Sequence, residues 1–127
     1  MSKEQLKIGI IGAGKTGKYL IQQLKGFDFV NIVMVADIQE NAPGFIFAKE
    51  NGIPVTTEYM DVARLGQGVD LVIEVTGRKD VKLGLRSYMQ ENENKHTVIL
   101  PELAAVLMMS MAKGELVDSF HGYQQYE

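Results

Sequence analysis

Apolar positions along the chain follow two periods in alternation. Short runs rich in β-branched residues alternate with stretches whose apolar residues recur every three or four positions, the pattern of a parallel sheet covered by helices on both faces. Leu6 to Ile11 reads as the first strand. Gly17, Leu20, Ile21 and Leu24 then fall at i, i+3, i+4 and i+7, one face of a helix. Phe29 to Ala36 is nearly continuous in apolar residues, as a strand buried on both faces should be. Pro43 suits the first turn of a short helix, which Asn51-Gly52 would stop. Ile53 to Thr56 predicts a short third strand, Glu58 to Leu65 a further short helix, and Val69 to Val75 a strand ended by Thr76-Gly77. Val81, Leu85, Tyr88 and Met89 mark the inner stripe of the next helix, His96 to Leu100 a fifth strand, and Pro101 the start of a last helix reaching Ala112.

These elements predict an α/β fold, a three-layer doubly wound parallel sheet of about five strands in the order 3-2-1-4-5, with right-handed crossovers. Residues 1–112 form the predicted domain, and 113–127 read as a polar C-terminal tail or linker remnant. No internal repeat or low-complexity segment is visible.

The turn between the first strand and the first helix carries the chemistry. Gly12-Ala13-Gly14-Lys15-Thr16-Gly17 follows a strand and opens a helix, where backbone N–H groups and the helix dipole favour a pyrophosphate. Gly12 would permit the tight turn, Gly14 the close approach of phosphate, and Gly17 the packing of helix on strand. Asp37 ends the second strand, 20 residues past Gly17, where a carboxylate can accept hydrogen bonds from the adenosine ribose hydroxyls. A 2′-phosphate would meet that charge, so the expected cofactor is NAD rather than NADP. Ile38 offers an apolar surface beside the adenine. Thr76 and Gly77 would meet the nicotinamide side. The residues Gly9 to Thr16 also match the G-x-x-x-x-G-K-[ST] loop of nucleoside triphosphatases. That alternative shortens the first strand to Leu6-Lys7-Ile8 and leaves Gly17 and its spacing to Asp37 unexplained. Lys15 would lend charge to the phosphates or simply be solvated.

Composition narrows the classes. A chain of 127 residues, 46% hydrophobic and 23% charged, is one ordinary globular domain by length. A net charge of −3 supplies no basic field for nucleic acid or an anionic membrane surface. The absence of cysteine excludes disulfides, thiolate metal sites and a thiol nucleophile. The polar N-terminus is no signal peptide and no apolar run is long enough to cross a bilayer, so the expected location is the cytoplasm.

On these residues the chain resembles the NAD-binding domains of the homoserine dehydrogenase, aspartate dehydrogenase and dihydrodipicolinate reductase group. The resemblance rests on the loop Gly12 to Gly17, on Val35-Ala36-Asp37, and on Asp70 to Gly77. Ala36 to Gly44, with Ala48 to Pro54 and Leu103-Ala104-Ala105, is similar to a Rossmann domain at the N-terminus of certain bacterial sensor histidine kinases. The likeness covers Lys7 to Ala112. It implies a dinucleotide-binding module that senses or regulates, alone or as part of a larger signalling protein. Alternatively it is the cofactor half of an oxidoreductase whose substrate domain is supplied in cis or in trans. Pro101-Glu102 depart from the more polar, histidine-bearing turn of the sensor-type domains.

No catalytic constellation is evident. Glu74 lies inside an apolar strand near the carboxyl edge, where burial would make it a candidate proton donor or acceptor. A carboxylate bonded to backbone N–H groups is the simpler reading. His96 and His121 lack the spacing of a metal site, and Arg78 would pair with a phosphate or be solvated. Phe45-Ile46-Phe47 cannot all face the sheet, and the last helix is apolar nearly all round. Both predict burial beyond one sheet, within the domain or in a homodimer.

Overall fold

In a computed structural model, residues 4–117 are described. Five strands form one sheet in the order β3-β2-β1-β4-β5, every neighbouring pair parallel. The strands are β1 (Leu6–Ile11), β2 (Val30–Ala36), β3 (Val55–Thr56), β4 (Leu71–Glu74) and β5 (Val98–Pro101). The helices are α1 (Lys15–Leu24), α2 (Pro43–Glu50), α3 (Met60–Arg64), α4 (Lys79–Glu91) and α5 (Glu102–Lys113). This is the Rossmann α/β fold, and it agrees with the predicted topology. Strand β1 has the predicted bounds, and the other four are shorter than the runs that announce them. Phe29 stands outside β2 and 54% exposed, stacked on Phe27 instead of entering the sheet. Pro101 closes β5 and caps α5, so the helix itself begins at Glu102.

Alternation along the strands feeds two cores. Ile8, Ile10, Val35, Ile73 and Val75 pack under α1, α2 and α5. Ile11, Ala36 and Val72 pack under α3 and α4. Each fully buried isoleucine contributes about 1.5–3 kcal/mol by leaving water, so the central strands carry much of the stability. Gly9 sits mid-strand at a register shift between β1 and β2, and an ideal Cβ there would stand 2.5 Å from a Val62 methyl. Its missing side chain lets α3 lie close on the sheet.

Helix α5 packs Ala105, Val106 and Met109 into the α1-side core, while Leu103, Leu107 and Met111 are 57%, 60% and 73% exposed. Gly114 ends the helix in the left-handed conformation (φ 84°), and the chain turns back so that Val117 enters the same core, its N–H donating to Ser110 Oγ at 2.9 Å. The remainder of the predicted tail, 118–127 with His121, lies outside the described residues. In α2, Phe45 is buried and Phe47 packs against the core beneath the Lys18 ammonium, leaving Ile46 43% exposed. No helix among the described residues is long and apolar enough to cross a membrane.

Candidate functional site

Strands β1, β2 and β4 end together, and a cleft of about 690 Å³ opens over their carboxyl ends. Strand β1 runs through Gly9 to Ile11, and the chain turns at Gly12 with φ 101°, a conformation that L side chains rarely adopt. A Cβ at Gly12 would also stand 3.0 Å from the Thr76 nitrogen. The triphosphatase alternative requires a loop already open at Gly9, but Gly9 is paired with Met34 and Val72 inside the sheet.

Helix α1 begins directly behind this turn. Gly14 is its N-cap and no side chain caps it, so the positive end of the helix dipole faces the cleft without a side-chain cap. The three motif glycines differ in what they leave room for. A Cβ at Gly17 would run into the Gly12 carbonyl oxygen, whereas one at Gly14 would meet nothing within 4 Å. Gly17 is thus a packing glycine, and the space above Gly14 is open to a ligand. Lys15 and Thr16 line the cleft as well, Lys15 exposed and Thr16 buried.

Asp37 faces this loop from the end of β2. Its Oδ2 accepts the Ala13 N–H at 2.7 Å and its Oδ1 the Gln39 N–H at 2.8 Å. The carboxylate therefore fixes the glycine loop while lining the cleft, with lone pairs left for further donors. Ala13 itself is fully buried and does not line the cleft. Ile38, 64% exposed, does.

At the β4 end, Thr76 lines the cleft, and Gly77 is exposed outside it with φ 70°. Glu74 is wholly buried behind Thr76. One of its oxygens accepts both the Thr76 N–H (2.6 Å) and the Thr76 hydroxyl, and the other has no hydrogen-bond partner among the described residues. Thr76 Oγ1 in turn accepts the Arg78 N–H at 3.0 Å. The Arg78 guanidinium is engaged by Asp80, at 3.1 and 2.8 Å, and that pairing holds the Asp80 carboxyl below the usual carboxylate range. Glu74 is thus built into the turn and does not line the cleft. No group of three His, Asp or Glu residues that could hold a metal ion occurs among the described residues.

Sequence reasoning passed over Thr57, Tyr59, Asp80 and Val81, which all line the cleft. Thr57 and Tyr59 stand in a turn and Asp80 in the first turn of α4, and as polar or aromatic residues they carry no periodic signal. It also passed over Gly44. That residue donates its N–H to the Ala13 carbonyl at 2.6 Å, and a Cβ there would stand 2.6 Å from the same oxygen. The signal was a glycine in the first turn of a helix, where propensity opposes it.

No family model matches the chain, and no curated protein matches it in sequence. Solved structures do share its fold. S. aureus homoserine dehydrogenase superposes with a TM-score of 0.61 at 11% identity, covering 84% of this chain and 29% of that one. A myo-inositol dehydrogenase from Corynebacterium glutamicum gives 0.59 at 16% identity, covering 87% and 33%. GenD2 from gentamicin A biosynthesis, solved in complex with NAD, gives 0.53 at 19% identity, covering 80% and 35%. The chain therefore spans about a third of the length of these proteins, and what is shared at such identities is the fold.

Proposed function

We propose that the chain is an NAD(H)-binding Rossmann module that senses or regulates, or that serves as one part of a larger protein. The observation that carries this reading is the pairing of two features across one cleft: an uncapped helix N-terminus with open space above Gly14, and an Asp37 carboxylate tied to the same loop. The residues fit the cofactor. Gly12, Gly14 and the first turn of α1 would hold the pyrophosphate, Asp37 the adenosine ribose, Ile38 the base, and Thr76 the nicotinamide side. When bound, the nicotinamide accepts or gives up hydride. The chain's own residues bind it, orient it and cover one face. Calorimetry with NAD⁺, NADH, NADP⁺, NADPH and ATP tests the reading. We expect NAD(H) to bind, NADP(H) to bind more weakly, and ATP binding alone to overturn it.

The second reading is the cofactor half of an oxidoreductase of the homoserine dehydrogenase kind, completed by a substrate domain in cis or in trans. The fold shared with dehydrogenases about three times its length favours it. Hydride transfer needs a substrate held and shielded beside the nicotinamide, and a Rossmann half supplies only the cofactor's side. We therefore expect no steady NADH oxidation at 340 nm with small aldehydes, keto acids or imines. Turnover that vanishes in Gly14→Val would establish an enzyme.

For assembly we propose a homodimer through α5, whose exposed Leu103, Leu107 and Met111 form one stripe. The α2 route is weaker, because Phe45 and Phe47 are already covered within the domain. Sedimentation at high micromolar concentration should show self-association, and Met108→Lys, beside that stripe and 43% exposed, should abolish it.

A further inference from the structure

We propose that Tyr59 is the base-recognition residue of the cleft, its ring forming the wall against which the adenine lies, and that Gly84 sets the position of that ring. The proposal deepens the dinucleotide reading and rests on it. Register places Tyr59 at the right end of the cleft. Strand β3 pairs with the end of β2 through Val35↔Val55 and Ala36↔Thr56, and the Asp37 N–H donates to the Thr56 carbonyl at 3.1 Å. The residues that follow β3 therefore flank Asp37 and Ile38, the ribose and base end, and both Thr57 and Tyr59 line the cleft.

Both ends of Tyr59 are fixed. Its backbone belongs to a turn fastened by Thr56, whose hydroxyl donates to Asp61 and accepts the Glu58 N–H at 3.1 Å. Its hydroxyl reaches across to α4 and lies over Gly84, where an ideal Cβ would stand 2.5 Å from the oxygen and 3.4 Å from Cζ. The ring packs against the α3–α4 core on the way to that hydroxyl, and the residue also lines the cleft. A glycine in the middle of a helix is unfavourable by propensity, and room for this hydroxyl is a physical reason for it. An aromatic face accepts any base by stacking and by itself adds no demand on the phosphate or ribose.

The geometry makes a cycle of variants decisive. Binding of AMP and NADH to the full chain is measured by calorimetry, with melting curves to confirm that each variant folds. Tyr59→Leu should weaken both ligands about fivefold to a hundredfold, the range of base–aromatic stacking. Tyr59→Phe, which keeps the ring, should bind as the wild type does. Gly84→Ala should weaken AMP binding by displacing the ring, and the double variant Gly84→Ala/Tyr59→Phe should restore it, because the clash is with the hydroxyl. If Tyr59→Leu does not fold, this phenylalanine–alanine cycle decides alone. Wild-type AMP affinity in both Tyr59→Leu and Gly84→Ala, or a double variant as weak as Gly84→Ala, overturns the proposal and leaves the dinucleotide reading standing. A wild type that binds neither NADH nor AMP removes both.

Discussion

Two aspartates at opposite edges of the sheet do the same local work. Asp37, at the carboxyl edge, accepts the Ala13 N–H at 2.7 Å, and Asp70, at the amino edge, accepts the Lys7 N–H at 2.8 Å. Their surroundings separate them. Asp70 gives its second oxygen to His96 Nε2 at 2.6 Å, its N–H to the Lys7 carbonyl and its carbonyl to the Val98 N–H. It stitches β1, β4 and β5 at their starts. Asp37 stands beside a turn that two glycines open, on a cleft that a ligand can enter. A carboxylate holding a backbone N–H is therefore no mark of function. What makes Asp37 a candidate is the space beside it, and that space is a property of Gly12 and Gly14.

The strongest way to break this comparison is to fill the space. Gly14→Val should reduce NADH affinity by about a hundredfold or more while leaving the melting temperature near that of the wild type, since nothing occupies the site of its Cβ. Gly17→Ala should do the reverse to stability, costing about 1–3 kcal/mol as its Cβ meets the Gly12 carbonyl. A Gly14→Val chain that binds NADH normally would show that the open turn is only a turn.

Next in size is Asp37→Ala, for which we expect a loss of NADH affinity of about tenfold to a hundredfold, or 1.5–3 kcal/mol. The structure adds a second consequence. The Ala13 N–H loses its partner in a buried setting, which should lower stability by about 1–3 kcal/mol. Asp37→Ser with Ile38→Arg should shift preference towards NADP(H), by removing repulsion and adding a phosphate partner. Titrations of the same variants with NADPH measure the shift.

The smallest effect belongs to the other edge. Asp70→Asn should leave NADH affinity unchanged. The Lys7 N–H, then His96, hold the Asp70 carboxyl below its ordinary value near 3.8. A carboxyl depressed in the folded state stabilises above the unfolded value and loses that contribution as pH falls through the folded one. Thermal melts between about pH 5 and pH 2 should show a shallower acid decline in Asp70→Asn than in the wild type. Equal slopes would mean that this clasp contributes nothing, and reduced NADH affinity would mean that the two edges are coupled.

Much of this architecture was legible before any coordinates. Strands whose residues are apolar on both faces, such as Ile8 to Ile11 and Val72 to Val75, announce themselves because both neighbouring layers demand it. The glycine loop was legible because its spacing reflects steric needs at single residues, two of which the backbone bears out: the positive φ of Gly12 and the closed space at Gly17. Gly77 was assigned to the nicotinamide side with Thr76 because both follow the fourth strand, but it stands outside the cleft that Thr76 lines. Arg78 read as a solvated arginine or a phosphate partner, and in the structure it lines the cleft with its guanidinium held by a carboxylate two residues away.

The sequence by itself determined the alternation of elements and the turn that opens the cleft, because each follows from local periodicity or from the steric freedom of one glycine, and the strand order followed only when general rules of crossover handedness were added. Only the tertiary structure decided which residues share the cleft and which faces remain bare. Tyr59 and Asp37 are far apart along the chain and meet because β3 pairs with β2. Gly84 and Gly44 have meaning only through what presses on them from another element, a tyrosine hydroxyl and a loop carbonyl. The last helix is apolar nearly all round, so its composition could not say which side would be covered. That was fixed by its packing onto the α1 face, which buries Ala105, Val106 and Met109 and leaves Leu103, Leu107 and Met111 in water. Local pattern specifies elements, whereas contact between elements depends on distances that no single stretch of sequence encodes.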